Sequence, residues 1–421
     1  MKKVLLFSSI IFISLALFSQ QIKEEATVIN IEVPVRVFSG KNFIDNLTID
    51  DFEVLENGIP QNIEAVYFVK KRSVERKQER KRFAPKTARN FFLFFELTEY
   101  IPKIEEAITH FVHNVLTPGD NLCIVTSMKT YRMKNIAFEV SSREEIAKQL
   151  IKIVRRDTLT GNSEYRSMID EMTVLAQTLT SFLSQERVTA EIIEDSRVSH
   201  IVAPMSEMTF AGHPESRSFE EQLIRYENQM NKLDDLRRVS QDSLMNFANY
   251  LGQKEGQKYV TIFYQEEFIP RVDHKLMNQA MSRYQSRPII LQMISNIVDF
   301  YKREIPIDTN LIKQTYADCS ISIHFLYLTR PKENILGVYM EDHSEDIFSA
   351  FREMAVATGG FIDSSARADT LFKAAVEASE NYYLLYYSPN KYETDGKFRN
   401  IDVKVKNKDY RIFHRAGYFA N

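Results

Sequence analysis

Tryptophan is absent from the 421 residues, and cysteine occurs only at Cys123 and Cys319, so at most one disulfide can form within the chain. Neither sign of charge dominates. Lys and Arg number 54 against 57 Asp and Glu, and a net charge of −3 gives no global case for nucleic acid as a partner. After the first residues no apolar run approaches the roughly 20 residues that a membrane span needs. A Gly-x-Ser-x-Gly elbow, a His-Glu-x-x-His pair, a phosphate loop and a Gly-x-Gly-x-x-Gly fingerprint are all missing. His110 and His113 lie three apart on a predicted helix, but no third ligand accompanies them. No constellation argues for an enzyme.

What is present suits a globular chain of two or three domains, with 44% hydrophobic and 26% charged residues. The opening "MKKVLLFSSIIFISLALFSQQ" has a basic start, an apolar stretch Val4 to Phe18 and small Ser19 before two glutamines. It predicts a signal peptide over 1–20, cleaved near Ser19 or Gln20. The mature protein is then exported, periplasmic or secreted, with no membrane span.

Residues 22–69 read as a β segment. Ile29, Ile31, Val33, Val35 and Val37 alternate with Asn30, Glu32, Pro34 and Arg36, the period-two pattern of a sheet with one wet face. Pro34 suggests an edge or a bulge, and Asn57-Gly58 a hairpin turn. Eight of the thirteen residues from Lys70 to Arg82 are basic, so 70–89 reads as a solvated linker with a possible contact to an anionic surface.

At Asn90 the pattern changes. "FFLFF" is apolar on both faces, as a buried parallel strand must be. A helix follows, and strands and helices alternate to residue 380, with "KNIAFEV" as an edge strand and Ser142 with Glu145 as a capping box. Thr160 to Ser163 read as a loop, and 187–216 as an inserted loop ahead of a long helix over 217–253. Such alternation predicts an open α/β sheet whose ligand binds beyond the carboxyl ends of the strands. There Glu96–Tyr100, Thr160–Ser163 and Tyr264–Glu267 should meet. Residues 381–421 return to strands, so two β segments, three strands each, should pair into a small sandwich with the 90–380 domain inserted.

The stretches "VPVRVFSGKNFIDNLTIDDFEVLENGIPQNI", "ATGGFIDSS" and "YYLLYYSPNKYETDGKFRNIDVKVKN…HRAGYF" resemble the bacterial VWFA-related domain proteins. The resemblance implies a doubly wound, mostly parallel von Willebrand factor A-like sheet, a fold that normally binds proteins, often through a metal. That metal motif falls on Glu96, Thr98 and Tyr100, with Ser163 in a second loop and Gln265 or Glu266 after the fourth strand. Here Glu replaces Asp, Tyr replaces a serine and Gln replaces the last Asp. Mg²⁺ needs oxygens at about 2.0–2.1 Å in near-ideal octahedral geometry. Glu96 reaches too far, Tyr100 is the wrong shape and Gln265 carries no charge, so no metal is expected. The alternative is an irregular Ca²⁺ shell from Glu96, Thr98, Ser163 and Glu266. In the family's strand order two strands separate Cys123 from Cys319, a gap of about 14 Å at the usual strand spacing. That is too wide for a disulfide, and two free thiols are predicted.

The expected function is therefore an exported, non-enzymatic protein-binding or scaffold protein of the cell envelope with a degenerate metal site. Its partner would be a protein of the envelope or outside it. Metal-dependent adhesion through a remodelled Glu96 site is the alternative, and an envelope-polymer hydrolase the third reading.

Overall fold

A computed structural model describes residues 29–40, 42–134, 136–195, 219–237, 240–300, 307–318, 321–342 and 344–420. The predicted signal peptide, Cys319 and most of the predicted inserted loop lie outside the described residues.

Both chain ends build two antiparallel sheets. In the first, β17 (Arg411–His414), β1 (Ile31–Ser39), β15 (Asn381–Tyr387), β5 (Ile63–Lys70) and β6 (Ser73–Glu79) lie in that order, and β2 (Asn42–Phe43) pairs with β1. In the second, the order is β18 (Gly417–Phe419), β16 (Phe398–Val405), β3 (Phe52–Glu56) and β4 (Ile59–Gln61). The faces meet in one core that includes Val33, Val35, Val54, Tyr383, Leu385 and Val403. The turn between β3 and β4 is Asn57-Gly58, with φ of 49° and 80°, the doubly left-handed turn that matches strand twist.

The central sheet has the order β14 (Ile362–Ser365), β12 (Ile321–Leu328), β10 (Gln257–Gln265), β7 (Arg89–Glu96), β8 (Asn121–Thr126) and β9 (Thr130–Arg132). Helices Lys103–His110, Arg143–Gly161 and Ala368–Glu380 supply apolar residues to the core on one face. Helices Gln241–Gly252, Thr309–Asp318 and Glu345–Ala357 do so on the other. A separate ladder joins β11 (Phe268–Arg271) to β13 (Tyr339–Asp342), beside a helical layer cored by Met172, Leu179, Tyr226 and Ile294.

The expected fold class, a doubly wound, mostly parallel von Willebrand factor A-like sheet inserted in a small sandwich, is corrected by this arrangement. The chain is mixed α/β. Its central sheet is itself mixed, and the other sheets, of six, four and two strands, are antiparallel and hold most of the strands. The edge of the central sheet turns because β8 and β9 are joined too tightly for a crossover helix, which leaves antiparallel pairing as the available geometry. The predicted edge strand "KNIAFEV" is instead the short helix Ala137–Val140 in its later half.

Other expectations shift with it. The basic stretch taken as linker contains β6, whose backbone is paired with β5 from Ala65 to Lys70. Thr160 and Gly161 end helix Arg143–Gly161, and Ser163 begins helix Ser163–Asp195, so only Asn162 separates two helices there. Residues 187–195 of the predicted loop belong to that second helix. The predicted helix over 217–253 is two, Phe219–Arg237 and Gln241–Gly252.

The polar face of β1 is not wet. Pro34 and Arg36 are buried because that face packs against the central region. The Arg36 guanidinium donates to Ser322 Oγ at 2.7 Å and to the Gly359 carbonyl at 3.4 Å. Gly360 lets its own segment close on β12, since a Cβ there would stand 1.7 Å from the Ile323 carbonyl oxygen. Pro34 sits inside the sheet, opposite Leu384 of β15, at a position that β17 does not reach. No ladder bond on that side is lost to its missing N–H.

Candidate functional site

The alternation of β7 sends Phe94 and Glu96 to the same face, and that of β10 sends Val260, Ile262 and Tyr264 there. The parallel register sets Glu96 opposite Tyr264 and Phe94 opposite Ile262. Above this face, Phe247 from helix Gln241–Gly252, Tyr316 from Thr309–Asp318 and Phe351 from Glu345–Ala357 leave a cavity of about 640 Å³. Its size is that of a small-molecule pocket.

The segments Glu96–Tyr100, Asn162–Ser163 and Tyr264–Glu267 gather at its mouth. Gln265 binds them from the centre. Its side-chain Oε1 accepts from Thr98 Oγ1 at 3.0 Å and from the Glu99 N–H at 2.8 Å. Asn162 Nδ2 donates to the Leu97 carbonyl at 2.6 Å, and Arg166 to the Thr98 carbonyl at 3.0 Å. Gly161 lets the helix end come this close, because a Cβ there would lie 2.4 Å from Ser127 Oγ.

The other residues at metal-motif positions are also engaged. Tyr100 donates its hydroxyl to Glu105 Oε1 at 2.7 Å, and burial, then Glu105, push its ionisation above the usual range. Ser163 Oγ donates to the Thr160 carbonyl at 2.8 Å. Glu266 Oε2 accepts from the Arg330 N–H at 2.9 Å, while the Arg330 guanidinium pairs with Glu99 at 2.7 Å. So Thr98, Ser163 and Glu266 of the alternative Ca²⁺ shell already hold protein partners. Among the described residues, no group of three or more His, Cys, Asp or Glu side chains is placed to hold a metal ion. His113 Nε2 lies 3.4 Å from Glu144, and His110 Nδ1 lies 3.0 Å from Asn114 Nδ2, which ties each to a surface neighbour.

Glu96 differs from all of these. Among the described residues no donor or cation is bonded to its carboxylate. Its side chain is exposed by surface area and lines the cavity. Loss of hydration to the surrounding protein atoms, and next the charge of Glu267, push its carboxyl above the usual range. Glu267, buried and lining the same cavity, accepts from Tyr264 Oη at 3.2 Å, and its N–H donates to Ser344 Oγ at 2.9 Å.

Sequence reasoning did not find Glu267, Phe247 or Phe351 as site residues. Glu267 alone carried a signal, its place in the segment that leaves β10. It also missed a second polar centre behind the site. Asp157 is fully buried and accepts from Thr126 Oγ1 at 2.8 Å, Tyr131 Oη at 2.6 Å and Arg156. Burial works to raise its carboxyl, but these hydrogen bonds outweigh burial and hold it below the usual range. Cys123 is buried and free, and burial pushes its thiol up.

No family model matches the chain. Two L-seryl-tRNA(Sec) selenium transferases, from two strains of Clostridium botulinum, are each 23% identical to it over 145 residues. The match covers 33% of this chain and 28% of theirs, so the chain spans little more than a quarter of the curated relatives it matches.

Proposed function

We propose that the chain is a non-enzymatic binding or scaffold protein of the cell envelope, recognising a protein partner without a conventional divalent cation. The observation that carries this reading is the Gln265 clasp. A neutral amide oxygen occupies the centre of the face and consumes the Thr98 hydroxyl that a metal would need. Recognition then falls to the surface around Glu99, Arg330 and the ends of β7 and β10. The stretches that resemble the VWFA-related proteins lie largely in the antiparallel sheets. Export rests on the predicted signal peptide. Among the described residues no helix is long and apolar enough to cross a membrane. The selenium transferases match over too small a share of either chain to bring a transferase activity here.

Capture of partners from an envelope extract, with and without chelator, tests this reading. Recovery of the same protein in both arms is expected. Calorimetric titration with Mg²⁺, Mn²⁺ and Ca²⁺ should give no saturable heat; a tight one-to-one isotherm reinstates metal-dependent adhesion through Glu96.

One observation favours the hydrolase reading. Glu96, with its carboxyl raised, lines the same cavity as Glu267, and a pair of carboxylates in unlike environments is the usual device of acid–base catalysis. The aromatic walls suit an apolar body better than a sugar polymer. Turnover of peptidoglycan that Glu96→Gln abolishes would establish the hydrolase.

A further inference from the structure

A buried cation sits where the chain-end sheets meet the central sheet. Arg36 is 2% exposed, and its guanidinium donates to neutral acceptors, Ser322 Oγ at 2.7 Å and the Gly359 carbonyl at 3.4 Å. Its Nε is buried without a hydrogen-bond partner. Burial works against its charge, and the groups that favour the charge are the phenols of Tyr259 and Tyr382. Among the described residues no carboxylate bonds it. Cys319 and Ser320, which precede β12 outside the described residues, have no carboxylate to offer.

Tyr382 has the matching defect. It is fully buried, and its hydroxyl has no hydrogen-bond partner. One step past Val35 and Tyr383, the last pair between β1 and β15, the register sets Arg36 opposite Tyr382 on the same face. Tyr259 of β10 and His324 of β12 face Arg36 from the central sheet. His324 is neutral there, with its Nδ1 accepting the Phe361 N–H. Glu32 is the carboxylate whose charge reaches Tyr382. It accepts from Gln257 at 3.2 Å and from Tyr386 rather than from Arg36.

A bridging water would satisfy both orphaned groups and leave the buried charge as it is. An anion that accepts from both satisfies the hydrogen bonds and compensates the charge together. It must be small, because the backbone round it is close. A Cβ at Gly359 would stand 2.8 Å from the His414 nitrogen, and one at Gly360 would meet Ile323. We propose that a monovalent anion of chloride size binds between Arg36 Nε and Tyr382 Oη and ties the chain-end sheets to the central sheet.

Thermal unfolding at constant ionic strength, with chloride exchanged for gluconate, reads the site. The melting temperature should rise with the logarithm of chloride concentration, and bromide should act alike. Tyr382→Phe removes one donor and adds no buried polar group. It should fold in gluconate and lose most of the chloride response. Crystals of the unmodified protein grown in bromide should show an anomalous peak between Arg36 and Tyr382. A melting temperature indifferent to halide overturns the proposal, as does a chloride response that Tyr382→Phe keeps in full. So does a water, or nothing, at that position in the bromide crystal. Bromide found there without any effect on melting is an adventitious ion only, and it too overturns the proposal. The crystal needs no variant, so a misfolded substitution does not spoil the test.

Discussion

The Thr98 hydroxyl donates to Gln265 Oε1 at 3.0 Å, closing the gap between the ends of β7 and β10 from within. The same oxygen takes the Glu99 N–H at 2.8 Å. One amide oxygen thus ties the two loops together.

Gln265→Ala removes the acceptor and leaves a buried hydroxyl and an N–H without a partner. The expected cost is about 1–3 kcal/mol, read from urea denaturation. Divalent-cation titration of the variant should stay flat. Unchanged stability would show that the clasp is incidental.

Arg89 and Asp120 form a buried pair at the start of the central sheet, with Arg89 Nε 3.0 Å from Asp120 Oδ1. Arg89 also donates to the Val115 carbonyl at 2.9 Å and to Thr117 Oγ1 at 3.1 Å. Asp120→Ala strands a guanidinium in the interior, and a loss of about 3–5 kcal/mol is expected by denaturant unfolding. A loss below 1 kcal/mol would mean that water reaches the guanidinium.

His324 accepts the Phe361 N–H on Nδ1 at 3.0 Å, so its proton sits on Nε2 and faces Ser379 Oγ at 2.8 Å. Both nitrogens are committed to the neutral ring. Burial, and next the nearby Arg36 charge, depress its pKa to about 3. The unfolded chain takes up this proton near pH 6.5 and the folded chain does not. The stability contributed is therefore whole above pH 6.5 and falls progressively toward pH 3. Between pH 7 and pH 4.5 the loss from this group is about 2–3 kcal/mol. His324→Gln should flatten the pH dependence by that amount; an unchanged slope means that the ring titrates normally.

Glu96 works in the opposite sense. Its folded carboxyl is raised, so it binds its proton more readily in the folded chain, and its ionised form is a burden at neutral pH. Glu96→Gln should therefore raise the melting temperature at pH 7.5, and the gain should vanish near pH 4, where both states of the native chain are protonated. A melting temperature that falls at pH 7.5 would mean that the carboxylate has a stabilising partner.

Local pattern carried much of the chain. Five apolar residues in β7, the strict alternation Ile401, Val403, Val405 in β16 and the Asn57-Gly58 turn are each written in a few adjacent residues. So is the capping box of Ser142 with Glu145. Charged β6 was not recognisable in this way. Its strand form comes from backbone bonds to β5, which composition does not encode. The end of helix Arg143–Gly161 was misjudged for a similar reason. A glycine that usually stops a helix is here the contact that lets it close on Ser127.

By itself, the sequence determined which segments bury a face and where tight turns fall, and it led to the expectation that Glu96, Tyr100 and Gln265 suit a small hard cation poorly. Those properties follow from side-chain chemistry and short-range periodicity. Only the tertiary structure decided that the sheets are mixed and antiparallel, that Arg36 is buried, and that Glu96 and Glu267 line one aromatic cavity. The last two of these join residues more than a hundred positions apart, and all three depend on strand pairing and helix packing that side-chain pattern does not encode.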